Sequence, residues 1–149
     1  MDLIPILAIW GSIISTAALT WNIIRGLEDR KKLNLEANVG QMLPGDPNNY
    51  YFYISMTNIG RRPVFVTGWG VDLKERNRSV FIVARNLPML LKDGENNLEY
   101  TDDLSIFNRN IKAVKVWDST NKKWKISKKN LKLLLKNAQE VLQQNRTPN

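Results

Sequence analysis

Neither cysteine nor histidine occurs among the 149 residues. The first absence excludes disulfides and thiol nucleophiles. The two together remove the usual zinc ligands and the one side chain that titrates near neutrality without help. A serine nucleophile would have to use lysine as its base, and no Ser-x-x-Lys sits in a convincing context; Ser127 and Lys128 instead begin a helix. The close acid pairs Asp93/Glu95 and Asp102/Asp103 fit a hairpin and a helix cap, not two carboxylates held across a cleft with separated pKa values. A calcium loop of the D-x-D-x-D-G type is missing. Gly68-Trp69-Gly70 imitates a phosphate-binding G-x-G, but Leu73 stands where the third glycine belongs and no helix follows. A β-bulge or close sheet packing explains those glycines better. The expectation is a non-enzymatic protein without metal or cofactor.

Charge is missing as well, over one long stretch. From Leu3 to Ile24 there is no charged side chain, and ten of the 22 residues are Leu or Ile. As a helix this segment would be about 33 Å long, enough to cross a hydrocarbon layer of about 30 Å. Pro5 falls in the first turn, where its missing N–H removes no helix bond. A cleaved signal would need a basic leader and a small-residue cleavage site. Here only Met1 and Asp2 precede the run, which passes through Trp21 into Arg25. The expected anchor is residues 1–25. Arg25, Arg30, Lys31 and Lys32 follow it, and the positive-inside rule therefore puts the amino terminus outside and the rest in the cytoplasm, on the inner (plasma) membrane. On that side the sequons at Asn77 and Asn145 carry no glycosylation meaning. Ala8, Ser12, Thr16 and Thr20 recur every fourth residue, a small stripe that suits close helix packing and a homo-oligomer.

Past the juxtamembrane segment 26–32 the pattern changes to short runs rich in β-branched and aromatic residues with a period of two. Strands are predicted at Leu33–Leu43, Tyr50–Asn58, Pro63–Lys74, Ser79–Ala84, Asn96–Thr101, Ile111–Asp118 and Lys123–Ile126. Turn signals separate them at 44–49, at Gly60-Arg61-Arg62-Pro63, at Asp93-Gly94 and at Asp118-Ser119-Thr120-Asn121. This spacing predicts a mainly β domain over 33–126, an immunoglobulin-like antiparallel β-sandwich. Phe52, Ile54 and Met56 are the expected core face of the second strand, and Val114 with Val116 that of the sixth. Trp117 and Trp124 are expected to pack across the last hairpin. Asn86 to Leu91 reads as loop or short helix because Pro88 has no donor, and Asp102 or Asp103 is expected to cap a short turn through Asn108.

Asn58-Ile59-Gly60-Arg61-Arg62-Pro63-Val64, Leu87 through Glu95, and Val116-Trp117-Asp118-Ser119-Thr120 with Trp124 resemble small bacterial membrane proteins in which one amino-terminal helix precedes an immunoglobulin-like sandwich. The resemblance covers residues 1–126 and implies that fold. Its motifs are turn motifs, so it implies no catalytic residue.

The remaining imbalance of charge lies at the other end. Residues 1–109 hold 12 Lys/Arg against 12 Asp/Glu, whereas residues 110–149 hold 10 against 2. A basic amphipathic helix is predicted over 127–144, capped by Ser127, with Leu131, Leu134, Leu135, Ala138, Val141 and Leu142 on one stripe and a flexible tail at 145–149. Its stripe is expected to cover a face or edge of the sandwich. Lys122, Lys123, Lys125, Lys128, Lys129, Lys132 and Lys136 are the candidate residues for binding a protein partner or the anionic inner leaflet. With Trp117 and Trp124 they also suggest nucleic acid, which ranks third because no sequence-reading module is recognisable. The chain thus reads as a membrane-anchored binding or assembly module. An oligomerising membrane effector, for instance in bacterial immunity, is the alternative.

Overall fold

The computed structural model describes residues 3–28, 30–42, 49–75 and 78–144. Leu43, the turn at 44–48, the sequon residue Asn77 and the tail at 145–149 lie outside the described residues. Among the described residues strand accounts for 40% and helix for 35%, most of the helix in two terminal elements, so the body between them is mainly β.

Helix α1 spans Leu3–Glu28. Its stretch Pro5–Gly26, with mean hydropathy 1.5, is long and apolar enough to cross a membrane, and none of it is buried against the rest of the chain. A core helix would bury at least one stripe. Here Ile6, Ile9, Ile13, Leu19 and Trp21 are all exposed.

Among the described residues the body holds eight strands: β1 (Leu33–Gln41), β2 (Tyr50–Asn58), β3 (Val64–Leu73), β4 (Ser79–Ile82), β5 (Met89–Leu91), β6 (Asn96–Thr101), β7 (Ile111–Asp118) and β8 (Lys123–Lys125). They form two antiparallel sheets. One has the order β1-β2-β6; the other has the order β4-β3-β7-β8, with β5 pairing the beginning of β3 and β4 its end. The alternation in the sequence decides the inner faces. Leu33, Leu35, Ala37 and Val39 of β1 and Phe52, Ile54 and Met56 of β2 are buried and share one core with Val64, Val66, Trp69, Val71, Val114 and Val116 of the other sheet. Phe52 packs its ring 5.2 Å from Trp69 and 5.0 Å from Phe107. The 3-10 helix Leu104–Asn108 closes the core beside them, capped by Asp103, whose carboxylate accepts the Ser105 N–H at 2.9 Å.

The glycines of β3 have the structural roles expected of them. The β3–β7 register slips between Val66 and Gly68, which marks a bulge. A Cβ on Gly70 would lie 2.1 Å from the Val80 carbonyl oxygen, so β4 approaches β3 only because that position has no side chain.

Two expectations are corrected. Met89–Leu91 is a strand, not loop or helix. Pro88 stands just outside it, so its missing donor interrupts no ladder, and the three residues are too few to display a period. Trp117 and Trp124 do not pack across their hairpin. Trp117 is registered with Lys123 and Trp124 with Val116, which puts the two indoles on opposite faces. Trp117 stacks on Phe81 at 4.6 Å, while Trp124 packs toward the core and donates its Nε1–H to Asp118 Oδ2 at 3.1 Å.

Helix α2 (Lys128–Gln144) starts at Ser127, whose Oγ accepts the Asn130 N–H at 3.1 Å. Leu134, Ala138 and Val141 are buried in the common core, and Leu131 and Leu135 pack at its margin. The apolar stripe read from the sequence therefore covers the sandwich as expected.

Candidate partner-binding groove

β1 is an edge strand, and α2 lies along it. Edge strands present unpaired backbone groups and need a cover. Asn130 supplies part of it: its Oδ1 accepts the Ala37 N–H at 2.9 Å and its Nδ2 donates to the Ala37 carbonyl at 3.1 Å, standing in for one residue of a missing strand. Asn137 adds a bond from Nδ2 to Asn38 Oδ1 at 2.8 Å, and the Tyr50 hydroxyl donates to Gln144 at 3.3 Å.

On the other side of Asn130 a groove of about 920 Å³ opens between the first half of β1 and the first turns of α2. Its lining includes Leu33, Leu35, Lys125, Lys129, Lys132, Leu133 and Lys136. The Lys32 carbonyl accepts the Ile59 N–H, so the even residues of β1 turn their backbone toward β2. The backbone groups of Leu33 and Leu35 accordingly point away from β2, on the groove side, as those of Ala37 do. Leu133 is 51% exposed, an apolar contact left open in the wall. Four lysines line the groove, and Glu36 is the one carboxylate among its lining residues. Lys136 has a loose partner outside, Glu140, at 3.8 Å, and both are exposed, so the pair offsets little of the positive charge.

The seven lysines named from the sequence therefore separate in space. Lys125, Lys129, Lys132 and Lys136 line the groove; Lys128 is exposed on α2 outside its lining. Lys122 lies in the β7–β8 turn and Lys123 begins β8, and the Lys122 ammonium sits 3.8 Å from the Trp124 ring centroid. On α1, Ala8, Ser12, Thr16 and Thr20 lie along one helix, but Thr16 and Thr20 donate their hydroxyls back to the Ser12 and Thr16 carbonyls at 2.8 Å. Arg25 closes the last turn with its guanidinium 5.7 Å from the Trp21 ring, and Arg30, Lys31 and Lys32 follow before β1.

Several polar residues that organise the fold escape sequence reading. Glu99 is fully buried, and its carboxylate accepts the N–H groups of Arg85 at 2.7 Å and Asn86 at 2.9 Å, pinning the connection from β4 to β5. Lys115 and Asp72 form an ion pair on the outer face of the five-stranded sheet, and Ser79 donates to the same carboxylate at 2.7 Å. Burial opposes ionisation of Asp72, but the bonds from Lys115 and Ser79 outweigh it and hold its carboxyl below the usual range. Asp118 behaves alike: against its burial, bonds from Thr120, Trp124 and the Lys122 N–H keep the carboxyl low. These acids are occupied by structural partners. Among the described residues no group of three or more Asp or Glu converges on a point. What the arrangement offers chemically is a cationic groove with an apolar floor. No protein-family model and no curated protein matches the chain.

Proposed function

We propose that this chain is a non-enzymatic, single-pass docking module of the inner (plasma) membrane, whose groove takes an acidic segment of a partner protein on the cytoplasmic side. The observation that carries the reading is that Lys125 of β8 and Lys129, Lys132 and Lys136 of α2 line an apolar groove with a single carboxylate, Glu36. A short acidic segment with one or two apolar residues complements it: carboxylates meet the ammonium groups, and an apolar side chain covers Leu133. The exposed helix α1 supplies the anchor, and Arg25 with Arg30, Lys31 and Lys32 supports the inward orientation. Anchoring both partners to one surface raises their effective concentration, so a modest affinity suffices.

The body is read as an immunoglobulin-like sandwich, in keeping with the family resemblance of the turn motifs. Two features support this: the first two strands pair in one sheet, and the third crosses to the other to join the penultimate strand.

The test is titration of the full-length protein in nanodiscs with a fluorescent octaglutamate peptide. Combining Lys125→Glu, Lys129→Glu and Lys132→Glu is expected to weaken binding by about tenfold or more. Unchanged affinity, with the variant still folded, would overturn the assignment of the groove. Truncation at Ile126 is a poor substitute, because it also removes the buried Leu134, Ala138 and Val141.

A further inference from the structure

Chain connectivity fixes which end of the sandwich meets the bilayer, if α1 is the anchor as proposed above. Four residues separate Glu28 from Leu33, a reach of about 17 Å even when fully extended. The register then gathers three more segments at that end. Leu33 pairs with Asn58, so the β2–β3 loop at 59–63 is there; Thr57 pairs with Asn96 and Val64 with Leu91, which brings the β5–β6 turn at 92–95. Val66 pairs with Asp118, which brings the β7–β8 turn.

These four segments are strongly basic. Residues 30–32, 59–63, 92–95 and 118–123 hold eight cations, namely Arg30, Lys31, Lys32, Arg61, Arg62, Lys92, Lys122 and Lys123, against Asp93, Glu95 and Asp118. Asp118 is 1% exposed and turned inward on its own loop, and Glu95 accepts the Lys92 N–H at 2.8 Å. Nothing in strand formation requires cations in all four connections. The loops are also fastened to one another, so their charges act as one surface. The Asn58 side chain donates to the carbonyls of Arg62 at 2.9 Å and Leu91 at 3.0 Å, and the Gly94 N–H reaches the Asn58 carbonyl at 2.9 Å. A Cβ on Gly60 would lie 2.3 Å from the Arg30 carbonyl oxygen, so this loop lies directly on the juxtamembrane chain. Ile59 projects beside them, 50% exposed.

We infer that this loop-bearing end is a lipid-binding face that seats on anionic headgroups. The occupant is an anionic bilayer surface because the anchor already holds the face within reach of one, and attraction of Lys and Arg to such a surface acts over about a Debye length, roughly 10 Å. Seating fixes the tilt of the sandwich. The groove, walled by β1, α2 and Lys125 opposite the middle of β7, then opens sideways along the membrane, where another anchored protein would present its segment.

The absence of cysteine makes the test clean, since Ile59→Cys creates a unique thiol. The full-length protein, labelled there with an environment-sensitive dye, is reconstituted into vesicles of phosphatidylcholine alone or mixed with phosphatidylglycerol. The expected result is a blue shift, with quenching by lipid-borne quencher, in the anionic vesicles only. It is lost on combining Lys92→Glu, Lys122→Glu and Lys123→Glu, and a dye at Gln139→Cys does not respond. Equal emission in both vesicles, a signal indifferent to the charge reversals, or a response to added single-stranded RNA in place of anionic lipid would overturn the inference. Failure to float with either vesicle would instead refute the anchor on which it rests.

Discussion

Removing the amide of Asn58 is the sharpest test of how the body is held together. This side chain is fully buried at the end of β2 and makes three bonds: Nδ2 to the carbonyls of Arg62 and Leu91, and Oδ1 from the Gly60 N–H at 3.0 Å. Asn58→Ala deletes all three and leaves backbone groups behind without partners. A buried unsatisfied group costs about 1–3 kcal/mol, but Arg62 is at the surface and its carbonyl can rehydrate, so roughly 2–4 kcal/mol in total is expected. For a body of this size, at about 4 °C per kcal/mol, the midpoint of thermal unfolding should fall by roughly 8–16 °C. The readout is intrinsic fluorescence of the full-length protein in detergent, for which five tryptophans give ample signal. A drop of less than about 2 °C would refute the reasoning, since it would mean that the amide bonds add almost nothing over water.

The glycines provide an internal contrast. Gly60→Ala and Gly70→Ala set a methyl against backbone oxygen at 2.3 and 2.1 Å, and each should destabilise by about 1–3 kcal/mol, whereas Gly68→Ala meets nothing within 4 Å and should stay within about 0.5 kcal/mol of the parent in the same melt. Acid should destabilise the fold in a definite direction. The Asp118 carboxyl titrates below its ordinary value when folded, so its contribution is complete above the ordinary carboxylate range and is lost as pH falls through the folded value; in melts recorded against pH, Asp118→Asn should lower stability at neutrality and flatten that acid limb. On α1, Ser12→Leu and Thr16→Leu should leave membrane association and the sedimentation profile in detergent unchanged, because a tether needs only an apolar span; appearance of smaller species in either variant would favour assembly through the small-residue stripe.

Strand placement was legible where alternation ran long enough. Tyr50–Asn58, Asn96–Thr101 and Ile111–Asp118 have the same bounds in sequence and structure; in Tyr50–Asn58 the period of two also selects the buried face, whereas in Asn96–Thr101 the buried residue is Glu99 and Leu98 is exposed. The same signal fails in two ways. Met89–Leu91 is too short to show a period, and it is a strand only because β3 extends beyond β4 and offers it a partner. The faces of Trp117 and Trp124 depend on hairpin register, set by a turn in which the Asp118 N–H reaches the Lys122 carbonyl and Asn121 takes a φ of 60°. A slip of one residue there exchanges the faces, and the sequence around the turn does not reveal it.

The candidate site was half legible. The excess of lysine, the Ser127 cap and the apolar stripe of α2 all show in the sequence. The division of those lysines between a side groove and the end where β1 begins does not, because Lys123 and Lys125, two residues apart, are carried by the edge strand β8 from beside the turn to the level of Lys115 in β7. Asn130 could not be recognised as a cover for the β1 edge, since its partner Ala37 lies 93 residues earlier. Glu99 likewise looks like an ordinary strand acid until the connection from β4 folds over it.

The anchored, inward-facing placement of the sandwich is tested most directly by protease accessibility of a carboxyl-terminal epitope on the full-length protein in intact spheroplasts, after alkaline washing of the membranes. The protein should remain in the washed membrane pellet, and the epitope should be lost only when the spheroplasts are lysed. Release into the supernatant, or digestion of the epitope from outside intact spheroplasts, would contradict it.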